Sequence, residues 1–435
     1  MIAIAAIGVT TSTGAPTPLP WPVPARSTCT HGWFARDVDP ALRGPARWHA
    51  LAQIALAECG ARGPIVVASC NGGAAELDAS SWASAFALGH GPIASAACAS
   101  GLHALWLARG MIEDGDTDEV TVLAVDALSP AAHANFEILR VLAPDPAPWQ
   151  PHATGFVPGE AAVAVRLVRA QPGDGLPRLV GPLLSHDLDE HDALAALAPL
   201  VTPPRVARII GQGTGPALVD ARELAALEHL PLAVPLSSPF ARYGHTIGAS
   251  GLLSVALATR DDAPSDDGTA LDGRRLGRAA GDALIICRAL GGACVAAGVT
   301  RADLATAPAP PSWVTSSVTP PGLPPLRIPL LRRIVAEALA HRPAQPPDAL
   351  IVHLDSPLVP PDDARIGERL LPSVVLEMTP GFVAQLIARA WGYRGPAITQ
   401  VGSVPAVATT CAGDRSDHRA ISVVYVRGSH VHWHS

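Results

Sequence analysis

"SAACASGLHALWLARGMIEDGD", residues 95–116, places small residues and one cysteine directly ahead of a run, 99–113, with helical apolar periodicity. A helix needs only a cap at that point, so Cys98 is either a small core residue or the reason the helix is there. A helix N-terminus offers unpaired backbone N–H groups and a partial positive charge. Both favour a thiolate, lower a thiol pKa and supply donors for an oxyanion. Ala96, Ala97, Ala99 and Ser100 leave room for a thioester to reach the sulfur. Taken alone, the pattern fits a buried structural cysteine equally well.

The sequence around this stretch alternates strands with helices. Residues 2–9, 64–70 ("PIVVASC") and 119–128 ("EVTVLAVDAL") read as buried strands, and 46–60 as a helix. "GFVPGEAAVAVRLV" (155–168) reads as a turn followed by a strand. This alternation predicts an α/β protein with largely parallel, covered sheets. Proline and serine crowd residues 307–325, which predicts a linker, and a second, shorter α/β stretch follows. That stretch echoes the first: "FALGHGPIASAA" (86–97) is similar to "RAWGYRGPAITQVGS" (389–403), and 113–125 to 411–426. Helix–turn–strand units resemble one another by chance, but the preferred reading is a degenerate half-domain repeat. In the second copy Ser403 or Val404 falls near the place of Cys98. The expected division is a main domain over 1–299, a Pro-rich linker over 300–325 and the half-domain over 326–435.

Composition removes several function classes. Of 435 residues 49% are hydrophobic, enough for a large core. All 31 basic residues are arginine, which excludes Schiff-base chemistry and lysine general bases. A net charge of −7 argues against a nucleic-acid partner. Seven cysteines without paired spacing fit a reducing, cytoplasmic setting better than a disulfide framework, and no CxxC pair suggests zinc. No apolar run reaches membrane-spanning length, and "MIAIAAIGV" reads as a first strand, not a leader. No cofactor or metal is called for.

Further segments bear on Cys98. "GQGTGPALVDARE" (211–223) is a Gly-rich turn leading into a helix that carries Asp220 and Glu223. "YGHTIGASG" (243–251) sets His245 among glycines, and "RALGGACVAAG" (288–298) is a Gly–Gly turn entering a strand. In this order, with 155–165, the segments resemble the β-ketoacyl synthases of the thiolase fold over about residues 1–299. Residues 95–100 look like that family's Ala-Cys-(Ser/Ala)-Ser elbow, and 211–223 like its His-Gly-Thr-Gly-Thr-x-x-x-Asp-x-x-Glu segment. Residues 243–251 look like its Gly-His-x-x-Gly-Ala-x-Gly, 289–292 stand where it has Gly-Phe-Gly-Gly, and 155–165 resemble its Gly-Phe-x-x-Gly-Glu-Gly-Ala. The resemblance implies a thiolase-like layered α-β-α-β-α core, here with an appended smaller α/β half-domain. It implies that Cys98 takes an acyl chain from an acyl carrier protein or coenzyme A thioester. The oxyanion hole would be the N–H groups of Cys98 and Leu290, with Phe240, Gly291 and Gly292 against the substrate.

The family pattern breaks at defined positions. Its first histidine is Gln212, which donates a hydrogen bond but carries no proton to exchange near neutral pH. Its lysine falls at or near Phe240, and its gating phenylalanine is Leu290. Cys98, His245 and Gln212 therefore form the expected catalytic set, depleted for decarboxylation. The favoured reading is acyl transfer through Cys98 without efficient elongation, in fatty acid or polyketide-type biosynthesis. The alternatives are true decarboxylative condensation and a non-catalytic, chain-length-factor-like partner subunit. The resemblance also implies a homodimer, or a heterodimer with another ketosynthase, through strand 119–128, unless the appended copy covers that edge within one chain. Among lesser candidates, His103 reads as packing or solvent-facing, and Asp220 and Glu223 as organisers of their turn. Glu160 is expected to satisfy buried backbone groups, and His430, His432 and His434 share one face of a terminal strand.

Overall fold

The apolar runs become strands covered on both faces. The computed structural model describes the chain apart from residues 13–14, 24, 26, 71–92, 187–189, 261–267, 278, 290–291, 303–325, 327, 346, 348, 355–364, 367–368, 371–379, 402–420, 428–429 and 435. The first half contains β1 (Ile2–Thr11), α1 (Gly44–Cys59), β2 (Ile65–Ala68), β3 (Ile93–Ser95), α2 (Ser100–Glu113), β4 (Glu119–Asp126), α3 (Pro130–Leu139) and β5 (Ala161–Arg169). Its strands lie in the order β1-β5-β4-β2-β3, with β2 parallel to β3 and β4, and β5 antiparallel to β1 and β4.

The second half repeats that plan. It contains β6 (Arg178–His186), α4 (Glu190–Val201), β7 (Arg208–Ile210), α5 (Ala217–Ala225), β8 (Leu236–Ser237), α6 (Phe240–Tyr243), α7 (Ser250–Thr259), β9 (Ala283–Ala289) and β10 (Ala293–Thr300). Its order is β6-β10-β9-β7-β8, and it joins the first sheet where Ile2 and Ala3 meet Leu179 and Arg178.

Side-chain alternation along the strands sorts the core into layers. Val120, Val122 and Ala124 of β4 face inward onto α2 and α7, with Leu102, Leu105, Leu252 and Val255. Leu123 and Val125 face outward onto Trp48 and Leu51 of α1. Leu194 and Leu197 of α4 and Leu224 of α5 cover Ile209 and Leu284 on the far sheet. The result is α-β-α-β-α, as expected from the sequence. Small residues let the two central helices touch: a Cβ on Gly251 would lie 2.6 Å from Leu102 Cγ. Among the described residues no helix is long and apolar enough to cross a membrane.

The C-terminal stretch adds α8 (Pro329–Ala340), β11 (Ala349–Leu354), α9 (Gly381–Trp391), β12 (Ala397–Val401), β13 (Ile421–Arg427) and β14 (His430–His434). β12 pairs antiparallel with β3, setting Thr399 opposite Ser95 and Gln400 opposite Ala94. From that seam outward the orders are β3-β2-β4-β5 and β12-β11-β13-β14. Each side has three parallel strands and then an antiparallel one. When Gly91-Pro92 is aligned with Gly395-Pro396, Ser95 and Thr399 are equivalent positions. The pair that meets at the seam is thus self-matching, as a local two-fold requires.

Two expectations change here. Strand 119–128 is β4, flanked by β2 and β5, so it cannot be a dimer edge. An apolar run marks a strand covered on its faces but does not tell whether its two sides are paired. The edge is the three-residue β3, too short to show a pattern, and β12 already occupies it. His103 is 1% exposed, which rules out solvent facing and leaves packing. Most of the linker (303–325), Ser403 and Val404, and parts of both echo segments lie outside the described residues. His430, His432 and His434 fall at alternate positions of β14.

Candidate active site

Cys98 sits two residues ahead of α2, at the end of β3. The chain turns there through Ala97, whose φ of 49° is a left-handed value uncommon for alanine. Ser100 ties the turn: its Oγ accepts from Ala96 N–H at 2.9 Å and donates to the Ala97 carbonyl at 2.6 Å. Short side chains at 96, 97, 99 and 100 are what this elbow requires, and Cys98 itself is partly exposed.

Three other elements converge on the elbow. From β9, the Cys287 thiol donates to the Cys98 carbonyl at 3.6 Å. Gln212, after β7, donates from Nε2 to Cys287 Sγ at 3.1 Å and accepts from Arg288 N–H at Oε1, 2.9 Å. Its amide thus bridges the nucleophile's neighbour and the start of the β9–β10 turn. The loop after His245 presses on α2: a Cβ on Gly248 would lie 3.2 Å from Ser100 Cβ and 2.6 Å from Asp126 Oδ2. Asp126, fully buried, accepts from Gly248 N–H at 2.7 Å, Cys70 N–H at 2.9 Å and Ser69 Oγ at 2.6 Å, so one carboxylate fixes both loops.

His245 is 1% exposed in an aromatic box, with ring centroids of Phe156 at 4.3 Å, Phe240 at 4.5 Å and Phe136 at 5.7 Å. Burial holds its pKa down to about 3. Nδ1 accepts from Ile247 N–H at 3.0 Å, which places the ring proton on Nε2. The imidazole is therefore a neutral hydrogen-bond donor near pH 7, not a base that could deprotonate a thiol. Phe240, where the family has lysine, adds an aromatic wall and no charge. The box is held by the 155–160 segment: His245 N–H donates to the Val157 carbonyl, and Gly159 N–H to the His245 carbonyl.

Asp220 and Glu223 organise the turn, as their spacing suggested. Glu223 accepts from the N–H groups of Gln212 and Gly213 at 2.7 and 2.9 Å, and Asp220 from those of Trp149 and Gly215. Glu160 accepts from the N–H groups of Ala35 and Leu128 and pairs with Arg47. Gly292 closes the β9–β10 turn with φ 97°, while Leu290 and Gly291 lie outside the described residues. The structure thus gathers Cys98, Gln212 and Gly248 of the His245 loop around one elbow. The sequence reading missed Cys287, Asp126, Phe136 and Phe156. Only Phe156 had a local signal, as the aromatic of "GFVPGE".

The buried ionisable groups give a pH prediction. Folding lowers His245 to about 3 and His103 to about 4, each from 6.5, by burial. Below pH 6.5 the unfolded chain therefore binds protons that the folded one refuses, so acidification destabilises. Asp220, pushed up to about 6 by burial and then by Glu223, works oppositely between pH 6 and its ordinary 3.8. Between pH 4.5 and 6 two histidines outweigh one carboxyl, and stability should fall by about 1.4 kcal/mol per pH unit on acidification. Urea denaturation across this range measures it, and His103→Leu should flatten the slope to near zero. A stability that rises on acidification would contradict the folded-state protonation assigned here.

The layered fold is that of the thiolase-like ketosynthases. Residues 80–172 match the family model "Beta-ketoacyl synthase, N-terminal domain". The beta-ketoacyl synthase of Burkholderia phymatum STM815 superposes with a TM-score of 0.58 at 19% identity, covering 69% of this chain and 99% of that one. The ketosynthase ApeO with its chain length factor ApeC, from Xenorhabdus doucetiae, gives 0.56 at 19% identity over 69% and 98%. The PfaC keto synthase–chain length factor gives 0.72 at 14% identity and covers 98% of this chain and 73% of that one. No curated protein matches the sequence. The matched segment and the shared architecture place this chain with the β-ketoacyl synthases.

Proposed function

We propose that this chain is a ketosynthase-like acyltransferase that loads an acyl group onto Cys98 and passes it on without efficient decarboxylative elongation. The donor is an acyl carrier protein or coenzyme A thioester, in fatty acid or polyketide-type biosynthesis. The Cys98 thiolate attacks the thioester carbonyl, the carbonyl–sulfur bond of the donor breaks, and the carrier thiolate leaves and takes up a proton. The observation that carries this reading is the state of Gln212. Its amide is held at both ends by Cys287 and Arg288 N–H, where the family has a histidine. With Phe240 in the lysine's place and His245 neutral, no described group beside the elbow exchanges a proton with a malonyl unit near pH 7. A second reading is favoured by one feature, the strand β12 on the nucleophile's edge. Residues 326–435 would be a half-domain repeat that acts as a built-in, chain-length-factor-like partner, in the manner suggested by the PfaC keto synthase–chain length factor.

The test follows acyl exchange between two carrier thioesters and carbon dioxide release from malonyl thioester in the same protein. Exchange should proceed while carbon dioxide release stays far below about one per second, the low end of ordinary turnover. Gln212→His should raise release only modestly, because Phe240 still supplies no charge. Condensation at one per second or faster in the unmodified protein would make Gln212 a working part of an elongating site and sink the reading.

A further inference from the structure

Helix α9 of the C-terminal unit lies on the residues that lead into Cys98. Ala384 N–H donates to Thr399 Oγ1 at 3.2 Å, and a Cβ on Gly381 would lie 2.6 Å from Ala96 Cα and 2.8 Å from the Ser95 carbonyl. A short turn takes α9 back into β12, and β12 runs antiparallel to β3. The helix therefore advances in the direction of β3, each turn lying further towards the elbow. One turn past Gly381, on the same side, is Gln385. It is 2% exposed, and neither its Oε1 nor its Nε2 has a hydrogen-bond partner. Ser95 Oγ, on the strand beneath, is also buried and unpartnered. Beyond α9 the Arg394 carbonyl accepts from His186 N–H at 3.0 Å and from Ser185 Oγ at 2.8 Å, which anchors the unit to β6.

A primary amide buried without a partner destabilises the protein that carries it. Its position beside the nucleophile gives it a use. We propose that the C-terminal unit contributes Gln385 as a specificity-determining residue that hydrogen-bonds an oxygen on the acyl chain held at Cys98. This rests on the acyl-transfer reading above. The amide both donates and accepts, so a keto oxygen meets Nε2 and a hydroxyl meets Oε1. A plain alkyl chain leaves both atoms unpaired. The substrate class is therefore acyl thioesters whose chain carries a keto or hydroxyl group.

The experiment separates binding from chemistry. Unreactive pantetheine amides of hexanoic, 3-hydroxyhexanoic and 5-hydroxyhexanoic acids are titrated by calorimetry into full-length Cys98→Ala protein. At least one hydroxylated analogue should bind about tenfold more tightly than the plain one, the worth of one good hydrogen bond. Adding Gln385→Met should bring the ratio to about one and raise the melting temperature of the ligand-free protein, since an unpaired amide is exchanged for an apolar side chain. Equal affinities without that substitution, an unchanged ratio with it, or a protein that loses stability or fails to fold each overturn the proposal. Intact-mass loading of the Cys98-containing protein with hexanoyl thioester is read separately. No loading with a preserved binding preference sinks the acyl-transfer reading alone, and loading without a preference sinks this one alone.

Discussion

Cys98→Ala abolishes covalent acyl loading: the adduct formed on incubation with an acyl thioester disappears, and acyl exchange falls by at least about a thousandfold. The expectation comes from the elbow. Cys98 precedes α2 by two residues and is partly exposed, whereas Cys29, Cys59, Cys287 and Cys294 are buried. Cys70 is the other partly exposed thiol, but burial, with Asp126 and then Cys98 beside it, pushes its pKa well up. Burial, then Cys98 itself, does the same to Cys287. Cys98 is therefore the thiol that alkylates first among the described cysteines, and prior alkylation should block loading to the same degree as the substitution. Persistent loading of Cys98→Ala, located by peptide mapping, would move the nucleophile elsewhere.

Breaking the Arg47–Glu160 pair has the largest expected effect on stability. Glu160 is fully buried, with Arg47 Nε at 3.0 and 2.9 Å from its two oxygens. The same carboxylate accepts from Ala35 N–H at 2.9 Å and Leu128 N–H at 3.2 Å. Arg47→Met leaves a buried carboxylate without its counter-charge and should cost about 3–5 kcal/mol. Arg47→Met combined with Glu160→Leu should recover part of that loss, because no charge is then stranded, although two backbone donors stay unmatched. Urea denaturation of the single and double variants measures the cycle. A double variant no better than the sum of its parts would show that the pair is not coupled. The damage also reaches the site, because residue 160 ends the segment whose Val157 and Gly159 hold the His245 backbone.

What could be read from the chain divides by how local its cause is. The elbow was readable because four small residues and a helix signal sit within six positions of Cys98. The Gln212 turn was readable because glycines and two carboxylates lie together in 211–223. Cys287 and Asp126 gave no signal: each closes or interrupts an apolar strand, and each gains its role from a loop far away in sequence. The aromatic box draws Phe136, Phe156 and Phe240 from three separate segments. The dimer strand was misplaced for a related reason. Alternation records what covers a strand's faces, while pairing along its sides is decided by strands elsewhere in the chain.

The seam between β3 and β12 sets how this protein responds to dilution. In a dimer built across such an edge, the pairing is lost as subunits separate, and activity per molecule falls with concentration. Here both strands belong to one chain, and the covalent connection keeps them at a fixed, high effective concentration. The seam therefore persists at any dilution, with one reactive thiol beside it where a symmetric pair would carry two.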